Sequence, residues 1–143
     1  MEILYFSDRG NNIMFNLNKN VQQRDEIIFG KYEPSSYMGG ICRFEKLNLA
    51  TLKQLVEHNF LCLDERQNCC PSVEEILHFM EKYPDYTTHG YAVSIERRDY
   101  RVSLEGVEKN SSASSKQEKS DFIKLFKYAD EIYTKDKMFC WFD

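Results

Sequence analysis

The chain has 143 residues, of which 42% are hydrophobic and 29% charged, and its formal net charge is −4. A chain of roughly that length buries about two thirds of its unfolded surface, so a single domain spanning 1–143 can stand without disulfides or structural metals. The acidic balance argues against nucleic acid as a partner, no apolar run approaches the roughly 20 residues that span a bilayer, and five cysteines without a secretory leader read as reduced thiols in a soluble cytoplasmic protein.

The apolar runs at 3–6 and 13–17 flank Ser7-Asp8-Arg9-Gly10-Asn11-Asn12, which predicts a first hairpin. Val21 to Asp25 reads as a polar connection, and Glu26-Ile27-Ile28-Phe29-Gly30 as a third strand. Residues 31–44 mix the breakers Pro34, Gly39 and Gly40 with bulky Tyr32, Tyr37 and Met38. Such an aromatic loop is either tucked onto the core or exposed for binding, and tucking is the commoner fate of aromatics.

Asn48 is a suitable N-cap for a helix whose Leu49, Leu52, Leu55, Val56 and Phe60 share one face. A second helix begins at Pro71-Ser72, where Ser72 and Glu75 have capping-box spacing, and Pro84 ends it. Its apolar stripe is Val73, Ile76, Leu77, Met80 and Tyr83. Tyr91, Val93 and Ile95, then Tyr100, Val102 and Leu104, alternate with small or polar residues around Glu96-Arg97-Arg98-Asp99, which predicts a hairpin. The span 109–120 is rich in serine and poor in apolar residues, and reads as a mobile loop. Ser120 or Asp121 then caps a third helix carrying Phe122, Ile123, Phe126 and Ala129. A last hairpin joins Glu131-Ile132-Tyr133 to Met138-Phe139-Cys140-Trp141-Phe142. The predicted fold is α+β: a mostly antiparallel sheet with about three helices, centred near Leu55, Leu77 and Ile123, packed on one face.

The helix-helix-hairpin segment at 48–106 has the order of a winged helix, with Arg97, Arg98 and Arg101 at the wing. From Asn48 to Tyr83, however, six acidic residues outnumber three basic ones, and Glu74 and Glu75 stand where a recognition helix would meet phosphates. His58, Cys62, Cys69, Cys70 and His78 are candidate metal ligands, but they lack paired Cys-x-x-Cys spacing, so no metal and no other cofactor is expected. His89, before Gly90, is the histidine around which a small enzyme without a marked motif would be built. Phosphate loops, nucleophile elbows and zinc-protease motifs are all missing. The residue types that interfaces favour point instead to Tyr32, Tyr37, Met38, Arg97, Arg98, Tyr100 and Trp141 as a protein-contacting set. The expectation is a small, acidic, non-enzymatic binding or regulatory protein of inhibitor or immunity type, with a protein partner. The alternatives are a winged-helix-like nucleic-acid binder and a small enzyme near His89.

Overall fold

The computed structural model describes residues 17–143. The hairpin expected over residues 3–6 and 13–17 lies outside them, apart from Leu17.

The fold is α+β, with a five-stranded antiparallel sheet and four α-helices among the described residues. The first helix, α1 (Val21–Phe29), corrects the strand expected near Ile27. Asn20 accepts a hydrogen bond from the Gln23 amide at 3.1 Å and starts this helix. Gly30 closes it in the left-handed conformation, at φ 82°. The apolar Ile27-Ile28-Phe29 run is only partly buried, and the side chains α1 sends inward are Arg24 and Asp25. A short 3-10 turn, Pro34–Ser36, leads to β1 (Ile41–Leu47). This strand was not expected. Its buried apolar residues, Phe44 and Leu47, are three apart because the register shifts between them, so no period of two is visible.

α2 (Leu49–Glu57) and α3 (Val73–Lys82) follow as expected. Asn48 caps α2 by accepting from the Thr51 amide, and Ser72 and Glu75 form the reciprocal capping box of α3. The strands β2 (Thr87–Val93) and β3 (Val102–Lys109) make the expected hairpin. The last helix, α4 (Lys116–Leu125), is capped by Ser115 rather than by Ser120 or Asp121. The serine-rich stretch therefore supplies the helix start. β4 (Glu131–Tyr133) and β5 (Met138–Trp141) form the terminal hairpin.

The strand order is β1-β2-β3-β5-β4, so β2 and β3 are central rather than a free wing. One face of the sheet sends Phe44, Leu47, Val102, Leu104, Val107, Met138 and Cys140 into the core. There they meet Leu52 and Leu55 of α2, Ile76, Phe79 and Met80 of α3, and Phe122 of α4 with Phe126 just beyond it. Phe79 packs edge-on against Tyr86 and Phe126, at ring separations of 4.8 and 5.3 Å. Tyr86 is fully buried and donates to Glu118 at 2.8 Å, which satisfies its hydroxyl. Alternation turns the intervening residues to the opposite face, where Arg43 pairs with Tyr91 and Tyr91 with Ser103.

Among the described residues, no helix is long and apolar enough to cross a membrane.

Candidate functional site

The helix-free face of the sheet is concave and polar. A cavity of about 550 Å³ opens there, over Ile41 and Arg43 of β1, Tyr91 of β2 and Ser103 and Glu105 of β3. Glu65 to Asn68, in the connection between α2 and α3, form one wall, and Arg97 and Arg101 form another. A second cavity of about 300 Å³ continues past Arg43 and Glu105 to His89, Phe139 and Trp141.

Glu105 sits at the junction because of a β-bulge. Along the β2–β3 ladder His89 faces Gly106 and Gly90 faces Leu104, which leaves Glu105 without a partner on β2. Gly106, at φ 149°, provides the backbone conformation the bulge needs. A Cβ at this glycine would meet the Cys140 carbonyl oxygen at 2.1 Å and the His89 ring at 2.9 Å. Only 3% of Glu105 is exposed, so its charge requires partners. Arg43 Nη1 donates to Glu105 Oε1 at 2.5 Å, and Gln67 Nε2 lies 3.3 Å from Oε2. Gln67 also accepts from the Tyr91 hydroxyl at 2.9 Å, and Tyr91 accepts from Arg101 Nη2 at 2.8 Å. The chain Arg101–Tyr91–Gln67–Glu105–Arg43 thus runs through three strands, the β2–β3 connection and the α2–α3 connection.

The arginines are held in place with unequal reserves. Arg101 gives Nε to Ser103, Nη1 to Asp99 and Nη2 to Tyr91. Arg97 grips Asp99 with Nε and Nη2, and gives Nη1 to the Gly39 carbonyl. Asp99 therefore serves two guanidiniums. Burial pushes its carboxyl up, but hydrogen bonds from Arg97 and Arg101 outweigh this and hold it below the usual carboxylate range. Arg43 gives only Nη1 to Glu105, and its side chain is 58% exposed. The Arg43 and Arg101 guanidiniums each lie 5.6 Å from the Tyr91 ring centroid. Burial raises the Glu65 carboxyl above its ordinary range, although Arg101 opposes the shift.

His89 is buried under the second cavity, stacked on Phe139 at 5.2 Å. Its Nε2 lies 3.0 Å from the Cys140 carbonyl oxygen. A carbonyl only accepts, so Nε2 carries the hydrogen. Desolvation pushes the His89 pKa down despite that hydrogen bond and the charges of Glu108, Glu105 and Glu45.

Of the protein-contacting set, the structure brings Arg97 and Trp141 to this face, together with Arg101. Arg98 is exposed beside them at the hairpin tip. Tyr100 turns inward, 3% exposed, and donates to the Asn18 carbonyl at 2.7 Å. The 31–44 segment divides. Tyr37 is tucked and spends its hydroxyl on Arg24 and Asp25, Tyr32 is half-buried near Pro34 and Gly40, and Met38 is 76% exposed. The metal candidates are scattered: His58, His78 and Cys69 are exposed, Cys62 packs near Leu17 and Tyr100, and Cys70 is in the main core. Among the described residues, no three His, Cys, Asp or Glu side chains gather as a metal site. Sequence reading missed Arg43, Gln67, Tyr91 and Glu105. The available signal was Gly106 inside an otherwise alternating strand, which marks a bulge and a re-aimed neighbour.

The chain matches no family model, no curated protein and no solved structure.

Proposed function

We propose that this chain is a small, non-enzymatic binding protein, of inhibitor or immunity type, that engages a protein partner through the helix-free face of its sheet. The observation that carries the reading is the convergence of arginines. Four of the seven in the chain, Arg43, Arg66, Arg97 and Arg101, line the larger cavity, and no lysine does. Arginine, tyrosine and tryptophan are the residues on which binding energy concentrates, and Tyr91 and Trp141 lie on the same face. Most of these side chains are already fixed by hydrogen bonds, so little side-chain entropy is lost on association. His89 supports this face structurally: its Nε2 is committed to the Cys140 carbonyl and its ring to Phe139.

The test is affinity capture from lysate with three baits and nuclease treatment: the parent, Tyr91→Ala with Arg43→Glu, and Lys124→Glu on α4. The reading expects a protein that survives nuclease, is captured by the parent and by Lys124→Glu, and is lost with the double variant. Equal capture by all three, or a nuclease-sensitive nucleic acid as the retained species, refutes it.

A further inference from the structure

The arrangement of donors over the larger cavity specifies what a partner must insert. Arg97 and Arg101 have all their guanidinium nitrogens in hydrogen bonds to Asp99, Ser103, Tyr91 and Gly39. Arg43 differs. Among the described residues only its Nη1 is hydrogen-bonded, which leaves the Nε–Nη2 edge of a cavity-lining guanidinium without a partner there. A guanidinium edge with two parallel donors matches the two oxygens of a carboxylate. The ring of Tyr91 under Arg43, and the Glu105 bond to Nη1, fix the plane in which that fork is presented.

The cavity also carries acids. Glu65, Glu105 and Asp143 line it alongside the four arginines. A surface built for a nucleic-acid backbone or a dianionic phosphate gains from every added cation and loses from every carboxylate. With Asp99, which pairs with Arg97 and Arg101, these acids equal the four arginines in number, so the pocket has no surplus charge for a dense anion and what it offers is directed donors for a single carboxylate. We propose that the cavity is a carboxylate pocket, and that it receives an aspartate or glutamate side chain from an acidic loop of the protein partner, gripped by Arg43. This rests on the reading of the helix-free face as a protein-binding surface and names the chemistry of its partner.

The test is an NMR titration of the ¹⁵N-labelled full chain with blocked Gly-Glu-Gly peptide. Blocked Gly-Gln-Gly, blocked Gly-phosphoserine-Gly and a short single-stranded DNA oligonucleotide are titrated in parallel. The glutamate peptide should give saturable shifts at the Arg43 side-chain Nε–H and at the amides of Gln67, Tyr91 and Ser103, and the glutamine peptide none. Arg43→Gln should abolish the effect. Arg43→Lys keeps the charge but not the fork, and should weaken binding by about tenfold, the difference between a bidentate and a point-charge contact. Thermal unfolding of both variants at the parent temperature shows that the fold is intact. The pocket is overturned if the glutamine peptide shifts the same resonances, if Arg43→Lys binds like the parent, or if phosphoserine or DNA binds there more tightly. If the capture experiment depends on the helix-free face while the glutamate peptide does not bind, the pocket falls and the binding reading stands. If capture ignores that face, the binding reading itself falls.

Discussion

Replacing Asp25 with alanine should be among the most damaging single changes to this protein. Arg24 and Asp25 are 1% and 0% exposed, at the inner side of α1. Arg24 Nε donates to Asp25 at 2.8 Å, Nη1 to the Val93 carbonyl at 2.9 Å and Nη2 to the Tyr37 hydroxyl at 2.7 Å. Its guanidinium lies 4.8 Å from the Tyr100 ring centroid. Asp25→Ala leaves that cation buried without its counter-charge, which costs about 3–5 kcal/mol. For a chain of this size each kcal/mol lowers the melting temperature by roughly 3 °C, so the expected drop is about 10–15 °C. Arg24→Met with Asp25→Ala removes both charges. It leaves the Tyr37 hydroxyl and the Val93 carbonyl short of a partner, at about 1–3 kcal/mol. The double variant should therefore be more stable than Asp25→Ala alone, although it carries one more substitution. The assay is urea unfolding followed by circular dichroism for the parent, both single variants and the double variant, closed as a cycle. The reasoning is refuted if Asp25→Ala costs less than about 1 kcal/mol, or if the two single losses simply add. The same cluster bears on the site, because Tyr37 anchors the segment whose Gly39 carbonyl accepts from Arg97.

Three further outcomes are expected. Gly90→Ala would place a Cβ 1.9 Å from the Ser103 carbonyl oxygen, a backbone clash at the floor of the second cavity. It should cost at least the roughly 1–3 kcal/mol of an overpacked core, and a parent-like unfolding curve would show that the two strands separate more easily than their register implies. Ser72→Ala removes one half of the α3 capping box and should cost about 1 kcal/mol in denaturant unfolding, with Ser72→Gly costing less. The third outcome concerns pH. His89 has its folded-state pKa below the ordinary 6.5, so the unfolded chain takes up a proton first as pH falls. Its contribution is complete above about pH 6.5 and is lost below it, by up to about 1.4 kcal/mol per pH unit down to the folded-state pKa. His89→Gln should flatten the stability profile just below pH 6.5, and an unchanged slope would show that other groups set it.

Local signals decided the parts of this protein that local physics controls. Asn48, Ser72 with Glu75, and the alternation around Arg97-Arg98 each act within four residues or along one hairpin, and the structure keeps all three elements. The antiparallel sheet with helices on one face follows from those periods. Signals that need a distant partner were not legible. Ile27-Ile28-Phe29 reads as a strand by composition, yet the Asn20 and Gly30 caps and the burial of Arg24 against Val93 and Tyr100 make it the end of a helix. β1 hides its pattern because a register shift separates Phe44 from Leu47. The site is the extreme case. Arg43, Gln67, Tyr91, Arg101 and Glu105 come from three strands and two connections, and no spacing along the chain links them. The chain by itself determined the residue types available for recognition, the two capped helices α2 and α3, and the β2–β3 and β4–β5 hairpins. Only strand pairing, and the bulge that turns Glu105 toward Arg43, decided which of those residues meet, because side-chain partners across a sheet are set by register rather than by position in the chain.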